Sequence, residues 1–252
     1  MTTVRVEDRA GGVRMLTLDR PPANALDESL LGDLAAAVDA AQAGEAVRAV
    51  VLTGTGMFFS AGFDLSAPPR DAAATRRLQD LYRKAHVGLL TLPKPTIALV
   101  NGHAIAGGLV AALACDYRLG VEGDYRIGLN EVAIGASYPR AAFEIVRLRL
   151  PHARACELLL GAALYPSTQA IRLGVLDELL PRDAAAETVL RRAARMGAFP
   201  HEAYAHTKAA LVAEAVARIA AETPQEAARG AAVWTMPESR AARAAQRRKL
   251  GL

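Results

Sequence analysis

This chain is poor in the features that stabilise small secreted proteins or anchor membrane proteins. Among 252 residues there are two cysteines, one tryptophan and only 5% aromatics. Cys115 lies within an apolar run, and neither it nor Cys156 belongs to a metal-ligand pair. That excludes a disulfide framework and indicates buried thiols in a reducing, cytoplasmic compartment. No segment reaches the roughly 18 uninterrupted apolar residues a bilayer-spanning helix needs. The start, MTTVRVEDRAGG, carries no apolar signal core. Charge of one sign is nearly balanced, at a net +4, with a basic excess in Arg240, Arg243, Arg247, Arg248 and Lys249. That run reads as a solvated helix face, with attraction to the phosphates of a ligand or of nucleic acid as the alternative. No aromatics are interleaved with it, which argues against single-stranded nucleic acid as a partner. Fixed-period repeats and low-complexity linkers are absent as well. What the chain does have is apolar residues, 52% of the total, enough for a large core.

The organising stretch is Pro95 to Arg118, PTIALVNGHAIAGGLVAALACDYR. Thr96 to Val100 is β-branched and short, the pattern of a buried strand, whereas Leu109 to Cys115 is rich in alanine and leucine and suits a buried helix. Gly107 and Gly108 fall where that helix begins. The first N–H groups of a helix have no internal partner, and its N-terminal end favours negative charge. Glycine also lets a ligand's oxygen approach the main chain closely. The turn therefore reads as a backbone site for an oxygen that gains charge.

Around this turn the apolar spacing predicts strands at Val13 to Leu18, Arg48 to Thr53 and Arg126 to Leu129. Leu26, Leu30, Leu34 and Val38, four apart, mark one face of a helix with Asp27 or Ser29 as its cap. A second helix spans about Ala72 to Leu90, before Pro93 and Pro95. Beyond Arg140 the pattern is almost wholly helical: Ser167 is expected to cap a short helix ending at Gly174, and Val175 to Leu180 forms one last strand. Ala184 to Met196, His201 to Ala221 and Pro224 to Leu250 read as alanine-rich helices that bury too little area for a core of their own. They are expected to pack on the first part of the chain or on a second subunit.

Several familiar motifs fail. Gly54-Thr55-Gly56 is followed by Phe59 where a dinucleotide fingerprint needs a third glycine. Around Ser60 the pattern resembles a nucleophile elbow, but Phe58 replaces its first glycine. His201 and His206 are five apart, whereas helical zinc ligands are four apart, so no metal site is expected. The histidines read as surface or packing residues, with His103 alone placed to touch a ligand.

Two glycine loops remain, Ser60-Ala61-Gly62-Phe63-Asp64 and Ala106-Gly107-Gly108, with Glu131 downstream in GLNEVAIG. With RPPANAL, DYR at Asp116 and IRLGVLDELLP, the segments FFSAGFDLS and VNGHAIAGG resemble the crotonase superfamily, the enoyl-CoA hydratase/isomerase family, over essentially the whole chain. The resemblance implies an α/β fold: a crotonase-like ββα spiral over residues 1–195 and a C-terminal helical trimerisation region over 196–252. It implies a homotrimer or a dimer of trimers, with an acyl-CoA thioester as substrate and no cofactor. The thioester oxygen would meet the N–H groups of Phe63 and Gly107, and Glu131 would move the proton. Ala23, Ala61, Asp64, Gly108, Tyr138 and Lys208 are the candidate substrate- or CoA-contacting residues. Where the family's hydratases place a first glutamate, three residues after Gly107, this chain has Val110. Water addition is easiest with two carboxylates, whereas moving a double bond from C3–C4 to C2–C3 needs one to carry a proton from C2 to C4. The departure favours a Δ3,Δ2-enoyl-CoA isomerase over a hydratase, hydrolase or decarboxylase, and over an RNA-binding or scaffold protein.

Overall fold

The computed structural model describes residues 2–67 and 71–251. Its architecture follows from strands buried on both faces. A hairpin of β1 (Val4–Arg9) and β2 (Val13–Leu18) leads to α1 (Glu28–Ala43), whose N-terminus is capped by the Asp27 carboxylate accepting from the Leu30 N–H. The following turns each supply two strands and a helix. They are β3 (Ala49–Gly54), β4 (Phe58–Ser60) and α2 (Ala72–Thr91); β5 (Thr96–Val100), β6 (His103–Ile105) and α3 (Gly107–Ala114); then β7 (Tyr117–Val121), β8 (Arg126–Gly128) and α4 (Arg140–Arg149). After α5 (His152–Gly161), β9 (Leu164–Pro166), α6 (Ala170–Leu173) and β10 (Glu178–Leu180), four helices complete the chain: α7 (Ala185–Gly197), α8 (His201–Ala220), α9 (Pro224–Thr235) and α10 (Pro237–Leu250).

Each ββα turn contributes its first strand to a six-stranded sheet, β1-β2-β3-β5-β7-β10, and its second to a four-stranded sheet, β4-β6-β8-β9. From β2 to β10 the larger sheet is parallel. Alternation in β3 and β5 divides the core. Val50, Leu52, Ala98 and Val100 face one apolar cluster with α1 to α4, while Ala49, Val51, Ile97 and Leu99 face a second one under α7. The alanine-rich helices do cover this frame. Val189, Ala193 and Met196 of α7 and Val212, Ala215 and Ile219 of α8 are buried, whereas α9 buries no residue.

Three expectations need correction. Pro224 to Leu250 is two helices rather than one, because Met236, preceding Pro237, is driven to an extended ψ of 145°. Ser167 is not a cap: its hydroxyl donates to the Gly123 carbonyl oxygen at 2.5 Å and ties a 3-10 turn to the loop before β8. The N-terminal segment, read only as polar, forms β1, an edge strand in which Val4 alone is buried.

Candidate active site

The two glycine loops meet because α3 starts against β4. A Cβ on Gly108 would lie 2.4 Å from the Ser60 carbonyl oxygen, and one on Gly62 would lie 2.7 Å from the Ala106 Cβ and 3.2 Å from the Gly107 nitrogen. Gly62 also has φ +79°, open to glycine at little cost. Ala106 adopts φ 54° and ψ −130°, an uncommon conformation for a residue with a side chain. It is held there by its N–H donating to the Gly128 carbonyl at 2.9 Å. Strain of this kind persists only where the surroundings enforce it, and here it turns the chain sharply into α3 so that the Gly107 N–H points out of the helix end.

Phe63 reaches the same place by another route. It forms a parallel bridge with Leu26, in which Leu26 donates to the Gly62 carbonyl and accepts from the Asp64 N–H. Those bonds go to Phe63's neighbours, so its own N–H turns to the other side. Among the described residues neither the Phe63 nor the Gly107 N–H has a protein acceptor.

The frame behind the loops is polar and saturated. Asn24, fully buried, accepts from the Arg20 N–H and donates to the carbonyls of Thr55 and Phe58. The Ser60 hydroxyl donates to the Asn24 carbonyl at 2.7 Å, a structural role that agrees with rejecting it as a nucleophile. Asp64 is spent on Arg20 at 2.6 Å and on Ser66, so its carboxylate fastens the loop rather than facing a ligand. Ala23 and Ala61, joined by a 3.0 Å backbone bond, are half-buried beside this frame.

Glu131 is buried, with 7% of its surface exposed, and among the described residues its Oε2 has no hydrogen-bond partner. Burial pushes its pKa up to about 7, against a smaller lowering influence of nearby donors. Its loop is held from behind. The Glu131 carbonyl accepts from the Ala136 N–H, the Gly135 carbonyl accepts from Arg243 of α10 at 3.0 Å, and Ser137 donates to the Gly230 carbonyl of α9. Arg243 also stacks 3.8 Å from the centre of the Trp234 ring. This one member of the basic run is therefore buried and structural, not a solvated charge. Tyr138 stands beside Glu131, donates to the Leu159 carbonyl at 3.2 Å, and with Tyr82 walls a cavity of about 630 Å3. A neighbouring cavity of about 870 Å3 lies between the start of α2 and helices α9 and α10, with Leu65 and Trp234 in its wall. Glu131, Phe63 and Gly107 wall neither cavity; Tyr82 and Tyr138 are the residues that link the smaller one to them.

Lys208 does not belong here. It is 5% exposed, and its ammonium donates to Asp116 at 2.8 Å and to the Lys94 carbonyl at 3.3 Å, leaving nothing for a CoA phosphate. His103 accepts from the Arg126 N–H and packs on Phe58, a sheet contact rather than a ligand contact. The histidine that matters was grouped with the packing residues: His86 is fully buried, its Nε2 3.1 Å from the Gly107 carbonyl oxygen. Its spacing of four from Tyr82 on α2 was the available signal.

Two backbone N–H groups without a protein acceptor among the described residues, and a buried carboxyl with its pKa raised to about 7, are the groups this region leaves available. The sequence pattern of the enoyl-CoA hydratase/isomerase family matches residues 8–240, and the chain belongs to that family, the crotonase superfamily. It is 31% identical to human mitochondrial enoyl-CoA delta isomerase 1 over 82% of this chain and 70% of that one. It is 33% identical to a probable enoyl-CoA hydratase, EchA17, of Mycobacterium tuberculosis over 79% and 77% of the two chains. The crystal structure of human mitochondrial delta3-delta2-enoyl-CoA isomerase superposes with a TM-score of 0.93 at 25% identity, covering 99% of this chain and 98% of that one. Among the described residues no helix is long and apolar enough to cross a membrane.

Proposed function

We propose that this protein is a Δ3,Δ2-enoyl-CoA isomerase that uses a single carboxylate. The supporting observation is a contrast on two neighbouring elements. Glu131 is a buried carboxyl with an unpartnered oxygen, whereas Val110, one turn into α3, is fully buried in the apolar core. Curated relatives of nearly equal identity carry isomerase and hydratase names, so kinship alone does not choose between the reactions. Val110, where a second carboxyl would stand, supports the isomerase reading.

In this reading the thioester oxygen sits between the N–H groups of Phe63 and Gly107. Glu131 takes a proton from C2, charge moves onto that oxygen as a dienolate, and the same carboxylic acid returns the proton at C4. Bonds and charge balance without a cofactor. A donor fixed in place stabilises such an oxygen by about 3 to 4 kcal/mol of barrier, because it need not reorganise. A carboxyl with a pKa of about 7 suits both halves of the transfer near neutral pH. Ala23 and Ala61 would border the CoA portion, and Tyr138 the acyl portion. The same reading carries a homotrimer or paired trimers, with the exposed Leu160 and Leu211 available for contacts between subunits.

Hydration is the second reading, favoured by the hydratase-named relatives. The test is to offer 3-hexenoyl-CoA and crotonyl-CoA separately. Movement of the double bond in the first, with little water added to the second, is expected. Fast hydration of crotonyl-CoA together with an inert 3-hexenoyl-CoA would overturn the isomerase reading.

A further inference from the structure

α2 places a hydroxyl beside Gly107 for which the two-amide arrangement has no use. Tyr82 is 1% exposed, and its ring is clamped between two residues of the site. Its centroid lies 5.1 Å from that of Phe63, which supplies one free N–H, and 3.8 Å from that of His86, which holds the carbonyl of Gly107. A Cβ on Gly107 would lie 3.0 Å from Tyr82 Cε2 and 3.7 Å from its hydroxyl oxygen. The phenol thus lies against the residue that supplies the second free N–H, in the wall of the 630 Å3 cavity. Among the described residues no protein group is hydrogen-bonded to this hydroxyl, and its residue borders the cavity, where a ligand's oxygen could meet it. Tyr138, the other phenol in the wall, is already engaged with Leu159.

We propose that the Tyr82 hydroxyl is a third donor to the thioester oxygen, contributed by α2 beside the amides of Phe63 and Gly107. The inference rests on the enolate reading of the site and adds a catalytic contact to it. Burial and the nearby Glu131 charge raise the phenol's pKa far above its ordinary value, so it stays a donor across the working pH range. His86 and Phe63 fix the ring, so the hydroxyl meets the oxygen without reordering, the condition under which a donor acts on the barrier rather than on ground-state binding.

The test is Tyr82→Phe, which keeps the ring stack and removes one oxygen. With 3-hexenoyl-CoA the expected result is a fall in kcat of tenfold or more, KM within threefold, and an unmoved acid limb of the pH profile. An unchanged kcat would overturn the proposal, as would a shifted acid limb with an unchanged plateau, which would make Tyr82 a partner of Glu131 instead. If the wild-type protein turned over 3-hexenoyl-CoA and Tyr82→Phe matched it, this inference alone would fall. A wild-type protein that bound no acyl-CoA would remove the enolate reading and this inference together.

Discussion

The two ends of α3 hold opposite solutions to buried charge. At its C-terminal end, Asp116 is surrounded by partners. It accepts from the Thr96 N–H and hydroxyl, from the Tyr204 hydroxyl at 2.9 Å and from the Lys208 ammonium at 2.8 Å, while Arg149 and Arg118 donate to the carbonyls of Leu113 and Cys115. Cations at a helix's negative end and a saturated carboxylate make a rigid, inert joint. At the N-terminal end the arrangement is reversed. Among the described residues two amides and one carboxylate oxygen make no hydrogen bond to protein. Saturation at one end fixes the helix, and in the proposed function that rigidity holds the unpartnered groups of the other end in position to meet a substrate.

The largest effect that separates the two ends is on stability. Lys208→Met removes the ammonium closest to the Asp116 carboxylate. It is expected to cost about 3 kcal/mol, measured by denaturant unfolding, the low end of the range for breaking a buried ion pair, because Thr96, Tyr204 and Arg149 remain. KM for an acyl-CoA should stay within twofold, and a large rise would return Lys208 to the binding site. Glu131 is expected to do the reverse. Its carboxyl binds a proton more tightly in the folded chain, at about 7, than at its ordinary 4.5, so folding takes up a proton between those values. Stability therefore falls as pH rises through this window, by about 3 kcal/mol in all. Glu131→Gln should remove that fall, and a variant that loses stability at pH 8 would contradict it. Gly107→Ala puts a methyl 2.9 Å from Leu26 Cδ1 and 3.0 Å from Tyr82 Cε2. The shifted amide should lower kcat by about 100-fold, the usual cost of misplacing a reacting group by about 1 Å. Arg243→Lys, which loses the fork joining Gly135 to Trp234, should have the smallest effect, about tenfold in kcat, with acyl-CoA binding intact.

Much of this was legible in the sequence where one residue type has one physical use. The glycines at 107 and 108 pointed to close backbone approach, and Gly108 is packed against Ser60 while Gly107 is packed against Leu26 and Tyr82. The apolar face of Leu30, Leu34 and Val38 gave α1. β4, β6 and β9 are three-residue strands without an apolar run continuing beyond them to mark a strand, and β1 has one buried residue and so no alternation to read. Lys208 and Arg243 were misread for a shared reason. Both are charged residues on alanine-rich helices, and nothing local records that Asp116 or the Gly135 carbonyl will meet them after folding. Tyr82 and His86 escaped in the same way: their neighbours, Phe63 and Gly107, are about twenty residues away along the chain but adjacent in space.

The central claim is that one carboxylate exchanges the C2 proton of a thioester held by fixed donors. Exchange of that proton with deuterium from solvent, followed by NMR on a bound acyl-CoA for wild type and Glu131→Gln, tests it most directly. Exchange in the wild type that rises with pH through about 7 and is lost by about a thousandfold in the variant, with acyl-CoA affinity retained, is the predicted result. Equal exchange in the two proteins would contradict it.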